Sequence, residues 1–123
     1  MNLIDALSRL GQPKVLVLGD LMLDQYTWGS TSRVSQEAPV MVLQVDSREH
    51  RLGGASNVCH MLRVLDAQVT CAGVVGSDSA GQTIIDLLNA AGIDTQLVLK
   101  CTDRATTQKE RLVGRTGSGL PSQ

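Results

Sequence analysis

Residues 52–58 read Leu-Gly-Gly-Ala-Ser-Asn-Val, so a pair of glycines stands directly before a pattern typical of a helix. Apolar residues recur at helical spacing over 56–65, which predicts a helix there. Two glycines let the backbone approach a ligand closely, and a helix start offers free N–H groups to a hydroxyl or an anion. The amide of Asn57 both donates and accepts, which suits a pair of sugar hydroxyls. The same residues also fit a glycine turn and an N-cap, and both interpretations stay open.

Strands and helices alternate on both sides of this stretch. The pattern predicts strands at 14–18, 69–75, 96–100 and 106–113, and helices near 3–10, 56–65 and 80–91. This alternation is typical of an α/β layered fold with parallel strands and right-handed crossovers. Two further extended segments, 26–33 and 40–46, interrupt the alternation and would form a small sheet standing off the main layer. The polar residues between them indicate a loop.

A second candidate site is the stretch Gly-Asp-Leu-Met-Leu-Asp at 19–24, where the first predicted strand ends. Ligands of open α/β sheets bind outside the carboxyl ends of the strands. Asp20 or Asp24 could accept hydrogen bonds from sugar hydroxyls at that edge. Both could equally be turn carboxylates that face solvent.

Composition and charge exclude several classes of function. The chain has 123 residues, which is enough for one small domain, and only 2% are aromatic, so the core must be aliphatic. With a net charge of -1 and no basic block, nucleic-acid binding has little support. The three cysteines form no CxxC pair or metal-ligand cluster, which favours buried thiols in a reducing compartment. The first residues hold no long apolar stretch, so we expect neither a signal peptide nor a membrane span, and a cytoplasmic location.

The glycine stretch does not match the common nucleotide-binding loops. Gly-Lys followed by Ser or Thr is absent after the glycine pair, which excludes a P-loop. Gly-x-Gly-x-x-Gly is absent as well, which argues against a fragment of a dinucleotide-dependent oxidoreductase.

Taken together, these residues resemble the ribokinase-like (PfkB) carbohydrate kinases over nearly all of 14–113. The first signature of that family corresponds to Gly-Gly-Ala-Ser-Asn at 53–57, followed by a glycine at 76. The stretches 19–24 and 76–81 (Gly-Ser-Asp-Ser-Ala-Gly) also fit the family pattern. The resemblance implies an α/β fold, namely the N-terminal part of a ribokinase-like layered fold with a small protruding β lid. Residues 1–116 would form the sugar-binding part, with the lid at about 26–46, and 117–123 would be a flexible tail.

Within the family, the chain is most similar to the heptose 7-phosphate kinase domains of bacterial ADP-heptose and lipopolysaccharide synthesis. The similarity lies in residues 19–26, in the Ser-Arg-Val-Ser-x-Glu-Ala-Pro stretch at 32–39, and in Thr-x-Lys-x-Arg at 107–111. It implies an enzyme that phosphorylates a sugar hydroxyl, at the 1-position of heptose 7-phosphate, with ATP and Mg²⁺. Two positions depart from the family pattern: Asp66 replaces a small Gly or Ser, and Cys59 replaces an Ala.

The resemblance assigns substrate-binding roles to seven residues: Asp24, Arg33, Gly53, Gly54, Asn57, Lys109 and Arg111. Asp24 would bind sugar hydroxyls, and the glycine pair with Asn57 would hold the sugar through backbone and amide contacts. Arg33 would lie in the lid, which could also mediate a homodimer. Lys109 and Arg111 would contact a sugar phosphate, although alternating charges are also common on a solvated strand face. No metal ligand is assigned.

The resemblance assigns no catalytic residue to this chain. Kinases of this family are about twice as long, against a usual domain range of roughly 50–250 residues. Their second half would hold a Gly-Ala-Gly-Asp motif with the general base and the anion hole, together with the ATP pocket. That motif is absent from these 123 residues, so we expect the chain to be inactive alone. Either it is a truncated or frame-shifted kinase, which the DNA beyond the codon for Gln123 would reveal, or it is a catalytically dead remnant that binds a sugar or a partner.

Overall fold

The computed structural model describes residues 1–117 and 121–122, which contain ten helices and strands. The helices are α1 (Leu3–Ser8), α2 (Ala55–Val64) and α3 (Ser79–Ala90). The strands are β1 (Lys14–Leu18), β2 (Leu21–Val34), β3 (Met41–Gly54), β4 (Gln68–Gly76), β5 (Asp94–Cys101), β6 (Thr107–Arg115) and β7 (Pro121–Ser122). None of the helices in the described residues is long and apolar enough to cross a membrane.

The strands form two separate sheets. The first is parallel, with the order β1-β4-β5, and pairs Leu18 with Ala72 and Ala72 with Leu97. The second has the order β3-β2-β6-β7, and β7 runs antiparallel to β6. The parallel sheet with its crossover helices confirms the α/β class that the alternation of elements predicts.

The chain divides into two compact units. Unit 1 comprises Met1–Leu23 and Leu52–Thr107, and unit 2 comprises Asp24–Arg51 and Gln108–Gln123. Unit 1 therefore contains the parallel sheet and the three helices. Unit 2 contains most of β2, β3 and β6 together with β7, and these four strands form the second sheet.

The core of unit 1 lies between the parallel sheet and helices α2 and α3. Ile84 and Leu88, one turn apart on α3, are fully buried, as is Val75 of β4. The core also includes Cys59 and Cys71, which are fully buried, and burial raises the pKa of the Cys71 thiol to about 12. The expectation of buried cysteines is thus confirmed for these two, whereas Cys101 is half-buried.

The opposite face of the parallel sheet is exposed. Because side chains alternate along a strand, the residues between those in the core project away from α2 and α3. They include Leu18, at 78% exposure, and Leu99, at 64%. Helix α1 is also largely exposed, and none of its residues is buried.

The second sheet differs from its predicted extent. The segments predicted at 26–33 and 40–46 lie inside β2 and β3, which have 14 residues each. Strand β2 begins earlier because Leu21 and Leu23 alternate into the core of unit 1. Strand β3 continues through charged residues that carry no apolar alternation. In the predicted tail, Pro121 and Ser122 pair with Arg115 and Gly114, while residues 118–120 and 123 lie outside the described residues.

Candidate functional site

The stretches 19–24 and 53–57, each of which begins with glycine, pack against each other in unit 1. The backbone N–H of Ala55 donates to the carbonyl oxygen of Asp20 at 2.8 Å. Gly54 has a φ of +56°, and a Cβ built on it would lie 2.5 Å from that same oxygen. Only glycine fits a left-handed backbone at such close approach, so the Gly54 position is fixed by both conformation and space.

A buried serine holds the turn in place. Ser56 has no exposed surface, and its hydroxyl donates a hydrogen bond of 2.6 Å to the Gly53 carbonyl oxygen. It is also 3.3 Å from the Met22 carbonyl oxygen of β2. These contacts fix Gly53, itself buried, at the start of α2. No signal in the sequence singles out Ser56, because a serine at the start of a helix is common.

The first turn of α2 has no side-chain cap, because its N-cap residue, Gly54, has no side chain. The first N–H of the helix, that of Ala55, is bonded to Asp20. Asn57 is exposed, and its amide nitrogen lies 3.8 Å from the sulfur of Met61, a weak acceptor. The Asn57 side-chain oxygen accepts no hydrogen bond from the described part of the chain. This arrangement offers backbone N–H groups and one amide to a polar ligand.

The Gly-Ser-Asp-Ser-Ala-Gly stretch forms a closed hydrogen-bond network with Thr106. Asp78 caps α3 by accepting from the Gly81 N–H at 2.8 Å, and its other oxygen accepts from the Thr106 N–H at 2.9 Å. The Thr106 hydroxyl donates to Asp78 at 2.6 Å and accepts from the Gly76 N–H at 2.8 Å. The hydrogen bond from the Thr106 side chain, followed by those from the two N–H groups, lowers the pKa of Asp78. These groups satisfy one another, so the network is structural.

Asp24 and Arg33 both lie on β2 in unit 2. Asp24 is half-buried and makes no hydrogen bond or ion pair with the described residues, so its carboxylate is available. Arg33 is exposed and lines a cavity of about 190 Å³ together with Ser30, Val42 and Gln44. Nine residues separate the two positions, or roughly 30 Å of extended strand at about 3.3 Å per residue. The structure therefore does not bring Arg33 close to Asp24.

Two arginines contact one tyrosine ring in unit 2. The guanidinium carbon of Arg51, on β3, lies 4.5 Å from the Tyr26 ring centroid on β2, and that of Arg111, on β6, lies 5.6 Å from it. Arg51 also forms a two-bond ion pair with Glu49, both bonds 3.1 Å long, which raises the pKa of Arg51. Sequence reasoning found Arg111 and missed Arg51 and Tyr26, because only the strand order places them on adjacent strands.

The opposite side of the same three strands carries a hydrogen-bond network around the carboxylate of Glu110. The buried hydroxyl of Thr27 donates to Glu110 at 3.0 Å, and the Gln25 amide donates to the same carboxylate oxygen at 3.1 Å. His50 lies 2.8 Å from the Gln25 side-chain oxygen. Glu110 is thus engaged on the side opposite Tyr26, and strand alternation separates it from its neighbours Lys109 and Arg111.

The seven predicted binding residues divide between the two units. Gly53, Gly54 and Asn57 lie together in unit 1 at the start of α2. The remaining four, Asp24, Arg33, Lys109 and Arg111, lie in unit 2. Within the described residues, no group of three or more His, Cys, Asp or Glu side chains is placed to hold a metal ion.

Comparison with known proteins agrees with this architecture. The sequence profile of the pfkB family carbohydrate kinases matches residues 12–118. The bifunctional protein HldE of Helicobacter hepaticus is 50% identical over 101 residues, which cover 82% of this chain and 21% of that protein. The D-beta-D-heptose 7-phosphate kinase of Bordetella bronchiseptica is 48% identical over 108 residues, or 88% of this chain and 34% of that protein. The chain thus spans between a fifth and about a third of the length of these relatives.

Solved structures show the same fold at low sequence identity. A carbohydrate kinase from Agrobacterium tumefaciens superposes with a TM-score of 0.67 at 20% identity, covering 91% of this chain and 34% of that one. The Arabidopsis thaliana ribokinase complexed with ribose and ATP gives 0.63 at 18% identity, covering 91% and 35%. With the profile matching most of its length and its glycine motifs packed as described, the chain belongs to the pfkB family of carbohydrate kinases.

Proposed function

We propose that this chain carries the sugar-binding half of a kinase that transfers a phosphoryl group from ATP to a hydroxyl of a sugar phosphate, with the 1-hydroxyl of heptose 7-phosphate as acceptor. The observation that carries the proposal is the turn at Gly54. It closes on the Asp20 carbonyl through the Ala55 N–H, and it leaves α2 without a side-chain cap and the Asn57 side-chain oxygen without a donor in the described residues. The name of the relative at 48% identity, a D-beta-D-heptose 7-phosphate kinase, favours a heptose phosphate over other sugars.

The residues of the chain would bind and orient the acceptor. Gly53, Gly54 and Asn57 would bind sugar hydroxyls through backbone N–H groups and the side-chain amide. The unpaired carboxylate of Asp24 would accept hydrogen bonds from further hydroxyls. Lys109 and Arg111 would bind the sugar phosphate. Arg33 would lie in the lid but, at roughly 30 Å along β2 from Asp24, beyond the reach of a sugar bound there. The lid could also mediate a homodimer.

Phosphoryl transfer itself needs groups that these 123 residues do not supply. The acceptor hydroxyl must lose its proton to a general base as its oxygen attacks the γ-phosphorus, and ADP leaves. The resemblance places that base in a Gly-Ala-Gly-Asp motif, which this sequence lacks. We therefore propose that a polypeptide of this sequence binds the sugar without phosphorylating it, as the sugar-binding remnant considered above would also do.

Calorimetry with the purified chain tests the proposal. We expect a heptose 7-phosphate to bind. Asn57→Ala should weaken this binding about tenfold, because it removes one or two hydrogen bonds from a polar site. His60→Ala, an exposed change on the same helix, is the matched control and should bind like the unchanged protein. Incubation with ATP should give no sugar bisphosphate. A chain that binds no sugar, or an Asn57→Ala variant that binds as tightly as the control, would refute the proposal.

A further inference from the structure

We propose that Arg51 and Arg111, held beside the Tyr26 ring, form the site that binds the phosphate group of the acceptor sugar. The inference deepens the proposed function, on which it rests. The sequence pattern indicates Lys109 and Arg111 for this role. The structure adds Arg51 and places Tyr26 at the centre of the site.

The positions of the three residues follow from the strand order. Tyr26 lies on β2, between Arg51 on β3 and Arg111 on β6, so the two guanidinium groups approach the ring from both neighbouring strands. Their distances of 4.5 Å and 5.6 Å from the ring centroid are within the range of cation–π contact. A rigid aromatic side chain between two guanidinium groups limits where both can point and so lowers the entropy lost when they bind one anion.

The N–H groups of the Arg111 guanidinium have no acceptor in the described part of the chain. Its Nε is buried and has no hydrogen-bond partner among the described residues. Its guanidinium makes no ion pair there, and its recorded contact is with the Tyr26 ring. A half-buried guanidinium without an acceptor raises the free energy of the folded chain. An anion that accepts hydrogen bonds from its N–H groups would remove this penalty.

The charges on this side of the three strands favour an anionic ligand. Lys109 lies two residues before Arg111, on the same side of β6, and makes no ion pair with the described residues. Arg115, four residues after Arg111 on the same side of β6, stacks on the Trp28 ring at 5.1 Å. Four cations of the described strands therefore share this side with two carboxylates, Glu49 and Asp24, and Glu49 is already bonded to Arg51. The planar fork of a guanidinium matches two phosphate oxygens, and a phosphate monoester carries about -1.5 to -2 charges at neutral pH.

The position of Asp24 indicates which phosphate is bound. Asp24 lies two residues before Tyr26 on the same side of β2, and its carboxylate has no partner in the described residues. In the proposed function it accepts hydrogen bonds from sugar hydroxyls. A ligand with hydroxyls at one end and a phosphate monoester at the other would therefore contact Asp24 and the arginine pair together.

Three titrations of the purified chain by calorimetry test the site: a heptose 7-phosphate, the same heptose without phosphate, and inorganic phosphate. We expect the phosphorylated sugar to bind at least about tenfold more tightly than the free sugar, because its phosphate adds charge-assisted hydrogen bonds to the arginines. Arg51→Gln and Arg111→Gln should each abolish most of that difference. Arg48→Gln removes the same charge from β3 on the opposite side of the strand and should leave the difference unchanged.

Each outcome separates this site from the proposed function. If the free sugar binds as tightly as its phosphate, or Arg48→Gln weakens binding as much as Arg51→Gln, the phosphate site is refuted while sugar binding stands. If inorganic phosphate binds and both arginine variants abolish this, yet no sugar binds, the anion site stands and the proposed function fails. Arg111→Lys keeps the positive charge but loses the planar, two-bond geometry of the guanidinium. Its affinity for the phosphorylated sugar should therefore lie between that of the unchanged protein and that of the free sugar, and this can be measured even if Arg111→Gln fails to fold.

Discussion

The hydroxyl of Thr106 donates a hydrogen bond of 2.6 Å to the carboxylate of Asp78, 28 residues earlier in the chain. The same hydroxyl accepts from the Gly76 N–H, so it connects the end of β4, the cap of α3 and the residue before β6. This network explains the spacing of the two glycines around Asp78. A Cβ on Gly81 would lie 2.9 Å from the Thr106 hydroxyl, and one on Gly76 would lie 2.7 Å from the Thr106 nitrogen.

Removing the Thr106 hydroxyl should destabilise the chain. Thr106→Val keeps the shape of the side chain but leaves the Gly76 N–H without its acceptor. It also removes one of the two hydrogen bonds to Asp78 Oδ1, which keeps the one from the Gly81 N–H, and Thr106 is only 5% exposed. We expect a loss of about 1–3 kcal/mol in the free energy of unfolding, measured by urea titration. Thr106→Ser retains the hydroxyl and serves as the control, with a smaller loss. Equal stability of the valine variant and the unchanged protein would contradict the role of the network.

The same network predicts how stability depends on pH. Hydrogen bonds from Thr106 and Gly81 lower the pKa of Asp78 in the folded chain below the unfolded value of about 3.9. The stabilisation by the carboxylate is therefore fully present above the unfolded pKa and is lost as the pH falls through the folded pKa. We expect the difference in unfolding free energy between the unchanged protein and Asp78→Asn to be constant above about pH 5 and to shrink below about pH 4.

Urea titrations at a series of pH values would measure this difference. Asp103→Asn removes an exposed loop carboxylate near Asp78 and controls for the change in net charge. A difference for Asp78→Asn that stays constant down to about pH 2 would contradict the assignment, because ordinary carboxylates are protonated there.

The sequence predicted the parallel sheet well because its strands and helices are apolar on one side. Helices predicted at 56–65 and 80–91 are found at Ala55–Val64 and Ser79–Ala90, and the strand predicted at 14–18 has those bounds. The second sheet was predicted less completely. Its strands carry charged residues on both sides, as at Arg48, Glu49 and His50, so no period of two in hydrophobicity marks where they end.

The candidate site was predictable only where neighbouring residues form it. The Gly53–Gly54 turn and Asn57 lie within five residues, and their arrangement follows from the local pattern. The contact of Arg51 and Arg111 with Tyr26 depends on three strands that are distant in sequence. No local signal fixes that order, because strand pairing is decided by packing over the whole unit.

Gly54 should tolerate alanine far less well than another glycine with a similar positive φ. Gly54 and Gly11 have φ values of +56° and +63°, but a Cβ on Gly11 meets nothing within 4 Å. Gly11→Ala should therefore lose only the cost of a left-handed backbone, about 1–2 kcal/mol. Gly54→Ala adds the clash with the Asp20 carbonyl and should lose clearly more in urea unfolding. Similar losses for the two variants would mean that the turn has room to move.

The exposed face of the parallel sheet should make the chain associate with itself. Leu18 and Leu99 are 78% and 64% exposed, and the strand register places them among further apolar residues, such as Leu97, which pairs with Ala72. A continuous apolar surface of this kind favours association in water. We expect sedimentation at rising concentration to show oligomers, and Leu18→Gln with Leu99→Gln to shift the chain towards monomer.

Leu65→Gln is the matched control for this face. Leu65 is 77% exposed and lies at the end of α2 rather than on the open face of the sheet, so the change removes one exposed leucine from elsewhere on the surface. It should leave the association unchanged, because the association depends on a continuous patch rather than on the total apolar surface. A chain that stays monomeric at all concentrations, or a control that dissociates the oligomer as well as the double variant does, would mean that this face does not drive association.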